Sequence, residues 1–303
     1  RDKDFIEHLF VGTNHQYMLF FTEKGKCFWL RVYEIPEGGK NTKGRAIQNL
    51  INIAADDLVK AVICTHDLKE QDYINSHYVV MATKKGVIKK TCLEQYSRPR
   101  QNGIVAITIK EDDELLEARL TSGNSQVMLA VKSGKAIRFP EEKVRAVGRS
   151  GSGVRGISFD DEANDEVIGM ITIENPKEET VLVVSENGYG KRTFIDDPET
   201  GEAVYRITNR GGKGVKTISV TEKTGNLVAI KSVLEEDDLM IINKSGMAIR
   251  LPVSDLRVMG RATQGVRLIN IKGNDSIAAV AKVMKEDEQL PEGENEELTP
   301  TDE

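Results

Sequence analysis

Residues 131–139 read VKSGKAIRF, an apolar run that enters a turn at Gly134 and leaves it as a second run with basic residues. The turn glycines of consecutive copies of this pattern are 48 to 61 residues apart. A regular period of this length indicates a repeat architecture, in which each unit packs on its neighbours. The other four copies are TEKGKCFWLRV at 22–32, TKKGVIKKT at 83–91, SENGYGKRT at 185–193 and NKSGMAIRL at 243–251.

Each repeat predicts β-structure. Its runs are short, rich in β-branched residues and bounded by Gly, Asn or Ser, which is typical of strands. After the hairpin, a second glycine opens a third run and a fourth run follows, as at 105–109 and 115–120. Four strands are the content of one propeller blade, and without long helical periodicity we expect little helix. The second glycines are Gly44, Gly103, Gly153, Gly214 and Gly265.

The two ends of the sequence differ from the repeats. Residues 4–11 match the closing run of the other repeats, and they either complete the last blade or belong to a partial repeat. We favour a partial repeat, because the fifth repeat has its own closing run at 277–283. Residues 285–303 hold nine acidic residues and one lysine, which predicts a disordered tail. We therefore expect an all-β, propeller-like disc of four-stranded blades at 1–284, with five full repeats.

Composition narrows the function. No apolar run approaches the ~20 residues that span a bilayer, and the three cysteines show no CxxC spacing, so we expect a cytoplasmic protein. The four histidines show no metal-ligand spacing, and no nucleophile–base set is visible. We expect no cofactor and no catalytic residues on this chain, which argues against a propeller enzyme.

Basic and acidic residues concentrate in different segments of each repeat. In each repeat we define a window that runs from the turn glycine to the second glycine, with a few flanking residues. The five windows are 25–45, 84–103, 132–155, 188–216 and 244–267. Together they hold 29 basic and 10 acidic residues, whereas the rest of 1–284 holds 12 basic and 29 acidic. Because repeats superpose in space, we expect the windows to form one continuous positive edge. Lys and Arg along such an edge suit the phosphates of duplex DNA, and with one Trp the chain offers few of the stacking platforms of single-strand binders.

These windows give the candidate DNA contacts. We expect them to bind phosphates, which positions DNA without reading its sequence. In the order of the repeats, they are Lys26, Arg31, Lys40, Lys43 and Arg45; Lys89, Lys90, Arg98 and Arg100; Lys135, Arg138, Arg145, Arg149 and Arg155; Lys191, Arg192, Arg206, Arg210, Lys213 and Lys216; and Arg250, Arg257, Arg261 and Arg267.

The sharpest local motif is NRGGKG at 209–214, where Gly211, Gly212 and Gly214 allow a close approach of the backbone to a phosphate. This segment resembles the glycine- and basic-rich box in the C-terminal domain of the DNA gyrase A protein, although it lacks the usual leading Gln. Other segments that carry the resemblance are KDFIEHLF at 3–10, CFWLRVYEIP at 27–36, KGRAIQNL at 43–50, ENGYGKRT at 186–193 and VMGRATQGVRLI at 258–269.

The resemblance implies a β-pinwheel, a propeller-like disc whose blades exchange strands and whose rim wraps duplex DNA. It implies a non-catalytic part of an ATP-dependent bacterial enzyme that introduces negative supercoils, with the gyrase B protein and the N-terminal part of the gyrase A protein as partners. We expect the fragment to be monomeric. Two alternatives stay open: the similar C-terminal domain of the topoisomerase IV A protein, and a protein-interaction propeller whose rim charge keeps it soluble.

Overall fold

The computed structural model describes residues 12–39 and 42–283. This part of the chain contains 19 strands, one short α-helix (α1, Gln71–Ser76) and five 3-10 helices, so the prediction of an all-β protein with little helix is confirmed. The predicted partial repeat at 4–11 and the predicted acidic tail at 285–303 lie outside the described residues. Within the described ranges, none of the helices has the length and apolar character that crossing a membrane requires.

The secondary structure follows the repeat. In chain order, the strands are β1 Tyr17–Thr22, β2 Lys26–Arg31, β3 Val59–Thr65, β4 Tyr78–Thr83, β5 Val87–Cys92, β6 Ile104–Val105, β7 Leu115–Thr121, β8 Gln126–Val131, β9 Lys135–Pro140, β10 Val154–Arg155, β11 Val167–Ile173, β12 Thr180–Ser185, β13 Tyr189–Phe194, β14 Val215–Lys216, β15 Leu227–Val233, β16 Asp238–Asn243, β17 Ala248–Pro252, β18 Val266–Arg267 and β19 Ile277–Val283. The 3-10 helices are Val32–Glu34, Ile47–Asn49, Leu93–Tyr96, Glu141–Lys143 and Val253–Asp255.

The strands form five antiparallel sheets, which we call blades 1 to 5. From one edge to the other, their strand orders are β3-β1-β2-β6, β7-β4-β5-β10, β11-β8-β9-β14, β15-β12-β13-β18 and, among the described residues, β19-β16-β17. The first strands in these orders contact each other from blade to blade, β3 with β7, β7 with β11, β11 with β15 and β15 with β19. They therefore line the inner side of the disc, and the other edge of each blade is the outer edge.

The fourth strand of a blade does not come from its own repeat. Residues 105–109 were expected to form the third strand of the second blade, but only Ile104 and Val105 form a strand, and they pair with β2 of blade 1. The same exchange places β10, β14 and β18 on the outer edges of blades 2, 3 and 4. The prediction of four strands from one repeat is therefore wrong, whereas the strand exchange implied by the family resemblance is confirmed.

Hydrophobic cores lie between consecutive blades. In β4, Val79 and Met81 join the core shared with blade 1, while Val80 and Ala82 join the core shared with blade 3. This alternation follows from the two-residue period of a strand, and it explains why a single blade cannot be stable alone. The turn glycines fit the same packing. Gly86 has φ +89°, and a Cβ there would lie 2.9 Å from the backbone oxygen of Ile157.

A repeated aspartate holds four of the five hairpin turns. Each aspartate precedes an inner strand and accepts a hydrogen bond from a backbone N–H in the turn of the same blade. These aspartates therefore have a structural role, because they satisfy backbone donors in the turns that the strands leave unpaired. The donor and acceptor pairs are Lys24 N with Asp57 at 3.1 Å, Lys85 N with Asp113 at 2.9 Å, Ser133 N with Asp165 at 3.1 Å and Ser245 N with Asp275 at 3.2 Å.

Candidate nucleic-acid interface

Four loops run along the outer edge at equivalent positions, and we call them the outer loops: residues 96–105, 144–155, 205–216 and 256–267. Each begins at a buried residue and ends in the short strand that completes the preceding blade. Three of them lie parallel to the second hairpin strand of that blade, through the bridges Lys90 with Ala146, Arg138 with Ile207 and Arg192 with Val258. The exchange of strands therefore brings corresponding basic segments to corresponding places on successive blades.

The outer loops expose most of their cations. Ten of the predicted contacts in these loops are exposed, and Arg149 and Arg261 are partly exposed. Elsewhere on the hairpins and in the first repeat, Lys26, Lys43, Arg45 and Arg250 are exposed and Arg31 and Lys135 are partly exposed, whereas Lys40 lies outside the described residues. The ten exposed loop cations are Arg98, Arg100, Arg145, Arg155, Arg206, Arg210, Lys213, Lys216, Arg257 and Arg267.

The structure corrects the prediction at five positions. Lys89, Lys90, Arg138, Lys191 and Arg192 are buried, and their cationic groups are engaged inside the protein. They lie three or four residues after a turn glycine. The side chains of four of them contact the outer loop of the next repeat, whereas that of Lys90 pairs with the buried Glu141. A buried cation has no surface for a DNA phosphate, so we withdraw these five residues from the candidate contacts.

The buried arginines hold the start of an outer loop. Arg138 donates from Nη1 to the backbone oxygen of Tyr205 at 2.9 Å, and Arg192 donates from Nε to the backbone oxygen of Leu256 at 2.6 Å. In blade 1 the equivalent residue is Trp29, whose Nε1 donates to the backbone oxygen of Tyr96 at 2.9 Å. One structural position therefore performs the same task with different side chains. Sequence reasoning missed it, because the partner is a carbonyl in another repeat.

The buried lysines hold the middle of an outer loop. Lys191 donates from Nζ to the backbone oxygens of Gly260 and Arg261 at 2.6 and 2.5 Å, and to Thr263 Oγ1 at 3.1 Å. Lys89 donates to the backbone oxygens of Ala106, at 2.7 Å, and Arg149. Burial, and secondarily a nearby arginine, lowers the pKa of each lysine to about 8. These side chains shape the loops that carry the exposed cations.

The NRGGKG segment docks on the preceding repeat. Gly211 N donates to the backbone oxygen of Gly156 at 2.7 Å, and Ser158 returns bonds from its N and Oγ to Gly212 and Gly211 at 2.9 and 2.7 Å. Arg210 donates from Nη1 to the backbone oxygen of Arg155 at 3.1 Å. Its backbone is therefore fixed, while Arg210, Gly212 and Lys213 stay exposed.

The three glycines of this segment have different reasons to be glycine. Gly211 and Gly214 have φ +89° and +73°, which glycine adopts without strain. At Gly214 a Cβ would also lie 2.4 Å from the backbone oxygen of Ala136. Gly212 has neither constraint, since its φ is not positive and a Cβ would lie 3.5 Å from Ile137 Cδ1, an ordinary contact. Only Gly212 is therefore left without an explanation in the fold.

One acidic residue lies among these cations and was not predicted. Asp160 accepts a hydrogen bond from Lys135 Nζ and forms an ion pair with Lys213 Nζ at 2.8 Å. The bonds from Lys135 and then Lys213 lower the pKa of Asp160 to about 2. The carboxylate is therefore charged at neutral pH, and it neutralises part of the positive edge.

Comparison with known proteins agrees with this geometry. The family model described as the DNA gyrase C-terminal domain, a beta-propeller, matches residues 16–66, 77–122, 126–174, 179–197, 200–233 and 237–284. The DNA gyrase A protein of Staphylococcus aureus strain NCTC 8325 is 42% identical over 300 residues, which cover 99% of this chain and 32% of that protein. The chain thus spans about a third of the length of this relative.

Two solved structures share the fold. The C-terminal domain of DNA topoisomerase IV superposes with a TM-score of 0.76 at 23% identity, covering 89% of this chain and 80% of that one. The DNA gyrase A C-terminal domain superposes with a TM-score of 0.73 at 24% identity, covering 90% of this chain and 84% of that one. At these identities the likeness concerns the fold, and the family model decides the membership. The repeats, the exchanged strands and the match along almost the whole chain show that it belongs to the family of DNA gyrase C-terminal domains.

Proposed function

We propose that this chain wraps duplex DNA around its outer edge, as the C-terminal domain of a DNA gyrase A protein. The observation that carries the proposal is the placement of the outer loops. Four loops occupy equivalent positions on successive blades, each is anchored by a buried side chain, and together they expose ten cations. A curved row of fixed loops suits a polyanion that bends around it.

The energetics of phosphate binding support a wrapped duplex. Bending 20–30 base pairs by 40–90° costs on the order of 1–6 kcal/mol. Contacts to phosphates offset this cost by releasing condensed counterions, and each contact contributes about 0.9 to the slope of log K against log salt. Because the loops are already anchored in the protein, little conformational entropy is lost when they bind.

In the holoenzyme this chain would supply no catalytic step. We propose that DNA cleavage and ATP hydrolysis belong to the N-terminal part of the gyrase A protein and to the gyrase B protein, in the cytoplasm of a bacterium, and that the isolated chain is a monomer without a cofactor. The wrap would present a segment of the same DNA for strand passage, so that negative supercoils are introduced. A topoisomerase IV protein is the alternative, and supercoiling of relaxed plasmid by the reconstituted enzyme separates the two.

A gel-shift experiment with a duplex of about 150 base pairs tests the proposal. We expect binding at 50 mM salt that weakens about 10³–10⁵-fold by 200 mM, as six to ten phosphate contacts require. Shortening of the distance between dyes at the two DNA ends would report the wrap.

The matched control compares two double variants with the same change of charge. Arg206→Gln with Lys216→Gln removes two exposed cations from one outer loop, whereas Lys69→Gln with Lys177→Gln removes two exposed lysines from the loops that follow inner strands. We expect the first variant to reduce the salt slope by about two and the second to leave it nearly unchanged. Equal effects of the two variants, or no binding at 50 mM salt, would contradict the proposal.

A further inference from the structure

The carboxylate of Asp160 occupies a site built by two lysines from different repeats. Lys135 follows the turn of the third hairpin, and Lys213 belongs to the NRGGKG segment of the fourth repeat. Strand exchange brings them together, because β14 pairs with β9 so that Lys216 lies opposite Lys135 and Val215 opposite Ala136. The lysines contact different oxygens of Asp160, Lys135 at Oδ2 and Lys213 at Oδ1. A phosphate is bound in the same way, by two cations that each contact a different oxygen of the anion.

Among the repeats that can be compared, only the third has an acidic residue at the position of Asp160. In four repeats, a buried isoleucine packs on the turn glycine, as Ile157 packs on Gly86. The residue three places after that isoleucine can be compared directly between them. It is acidic only beside the NRGGKG segment, since the four residues are Lys110, Asp160, Thr221 and Lys272. At the position that contacts Lys213, the third repeat therefore has a negative side chain where the others have a neutral or positive one.

The ion pairs lie at the surface and can open. The side chains of Lys213 and Asp160 are 59% and 51% exposed, and that of Lys135 is 36% exposed. Exposed ion pairs contribute little to stability, so the fold does not depend on this one. A DNA phosphate that arrives on the outer edge meets the same two ammonium groups and would have to replace the carboxylate.

We propose that Asp160 is an internal competitor of DNA, which occupies the Lys135–Lys213 phosphate site in the free chain and leaves it when the duplex binds. This inference rests on the proposed DNA-binding function. Asp160 would lower the affinity of the outer loop with the densest cations. It would also make that loop engage last, after the phosphates are held by the neighbouring loops.

Asp161 provides a matched control. It is exposed and lies one residue away, but its carboxylate accepts bonds from Asn164 Nδ2 at 2.8 Å and from Ala163 N at 3.2 Å, within its own loop. Asp160→Asn and Asp161→Asn change the net charge equally and at nearly the same place. A difference between them therefore measures the contact with the two lysines rather than the total charge.

The experiment measures the affinity of the whole chain for a 150-base-pair duplex by gel shift at 50 and 200 mM salt. We expect Asp160→Asn to bind about threefold to tenfold more tightly than Asp161→Asn at 50 mM, with a smaller difference at 200 mM because screening weakens exposed pairs. Equal affinity of the two variants, or weaker binding by Asp160→Asn, would overturn the competitor role, the second result by making Asp160 a positioning residue.

A double-mutant cycle identifies the partner. If Asp160 acts through Lys213, the gain from Asp160→Asn should fall to less than twofold in a chain that also carries Lys213→Ala. An undiminished gain in that background would overturn the inference. A failure of the proposed function looks different, because the wild-type chain and both Asp160 and Asp161 variants would then leave the duplex unbound at 50 mM salt. Thermal unfolding of each variant confirms that the fold is intact.

Discussion

Arg138 and Tyr205 join the third repeat to the fourth. The guanidinium of Arg138 donates from Nη1 to the backbone oxygen of Tyr205 at 2.9 Å and pairs with Asp196 at 2.6 Å, and only 1% of Arg138 is exposed. Tyr205 is itself buried, and its hydroxyl lies 2.5 Å from Thr217 Oγ1. The loop that leads into NRGGKG is therefore fixed at its first residue by a cation from the neighbouring blade.

Removal of Arg138 should destabilise the protein. Arg138→Leu leaves the carboxylate of Asp196 and the carbonyl of Tyr205 without their partner, and breaking a buried ion pair costs about 3 kcal/mol. Urea unfolding followed by tryptophan fluorescence or circular dichroism measures the loss. Arg250→Leu is the comparison, because Arg250 has the same place after its turn glycine but its side chain is 54% exposed. Its partner Asp238 is buried, so we expect a loss there too, but a smaller one of about 1–2 kcal/mol. Similar losses in both variants would contradict the anchoring role.

The same two arginines show how far the sequence predicts this structure. The turn glycines, the two-residue alternation and the period lie in local sequence, so the repeat, the all-β class and the basic segments could be predicted. Arg138 and Arg250 stand in nearly identical contexts, AIRF and AIRL. Whether each is buried depends on an outer loop from the next repeat, which covers Arg138 and has no described counterpart over Arg250. Local pattern carries no information on that contact.

The residue pattern alone could not predict the strand exchange, for a related reason. Ile104 and Val105 form a strand of only two residues, too short to show a period, and their partner β2 belongs to the preceding repeat. Asp160 begins the acidic run DDE at 160–162, and the local sequence does not distinguish a carboxylate that contacts lysines of two repeats from one that is only solvated. Comparison of aligned positions between repeats, Lys110 and Lys272 against Asp160, is the signal in the sequence that could have found it.

Gly212 and Gly214 should respond differently to alanine. Gly214→Ala places a Cβ 2.4 Å from a backbone oxygen at φ +73°, so we expect a loss of about 1–3 kcal/mol in the free energy of unfolding. Gly212→Ala meets only an ordinary contact, and we expect a change within about 0.5 kcal/mol. If a phosphate approaches the backbone at Gly212, this stable variant should nevertheless bind duplex DNA severalfold more weakly in the gel shift. Unchanged DNA affinity of Gly212→Ala would remove the backbone of Gly212 from the proposed interface.

Glu141 should be far more sensitive than its neighbour Glu142. Glu141 is buried and accepts hydrogen bonds from Thr121 Oγ1 and from Ser125 N and Oγ at 3.0 and 2.6 Å. Glu141→Ala leaves these buried donors without an acceptor, and we expect the free energy of unfolding to fall by about 3 kcal/mol. Glu142→Ala, at an exposed position one residue later, should change it by less than about 0.5 kcal/mol. Equal denaturation midpoints for the two variants would show that the hydrogen bonds of this buried carboxylate do not stabilise the fold.

Lys191 should make stability depend on pH in the alkaline range. Burial, and secondarily Arg261, lowers the pKa of Lys191 to about 8 from the ordinary 10.5. Between these values the unfolded chain binds more protons than the folded chain, so this contribution to stability is fully present above about 10.5 and is lost as the pH falls through about 8. The free energy of unfolding of the wild type, relative to Lys191→Met, should therefore rise between pH 7.5 and 10, by up to about 3 kcal/mol. Lys191→Arg keeps a permanent cation and should lack this rise. Urea unfolding of the three proteins at pH 7.5, 8.5 and 10 measures the trend, and a constant difference between wild type and Lys191→Met would show that the ammonium is not desolvated in the folded chain.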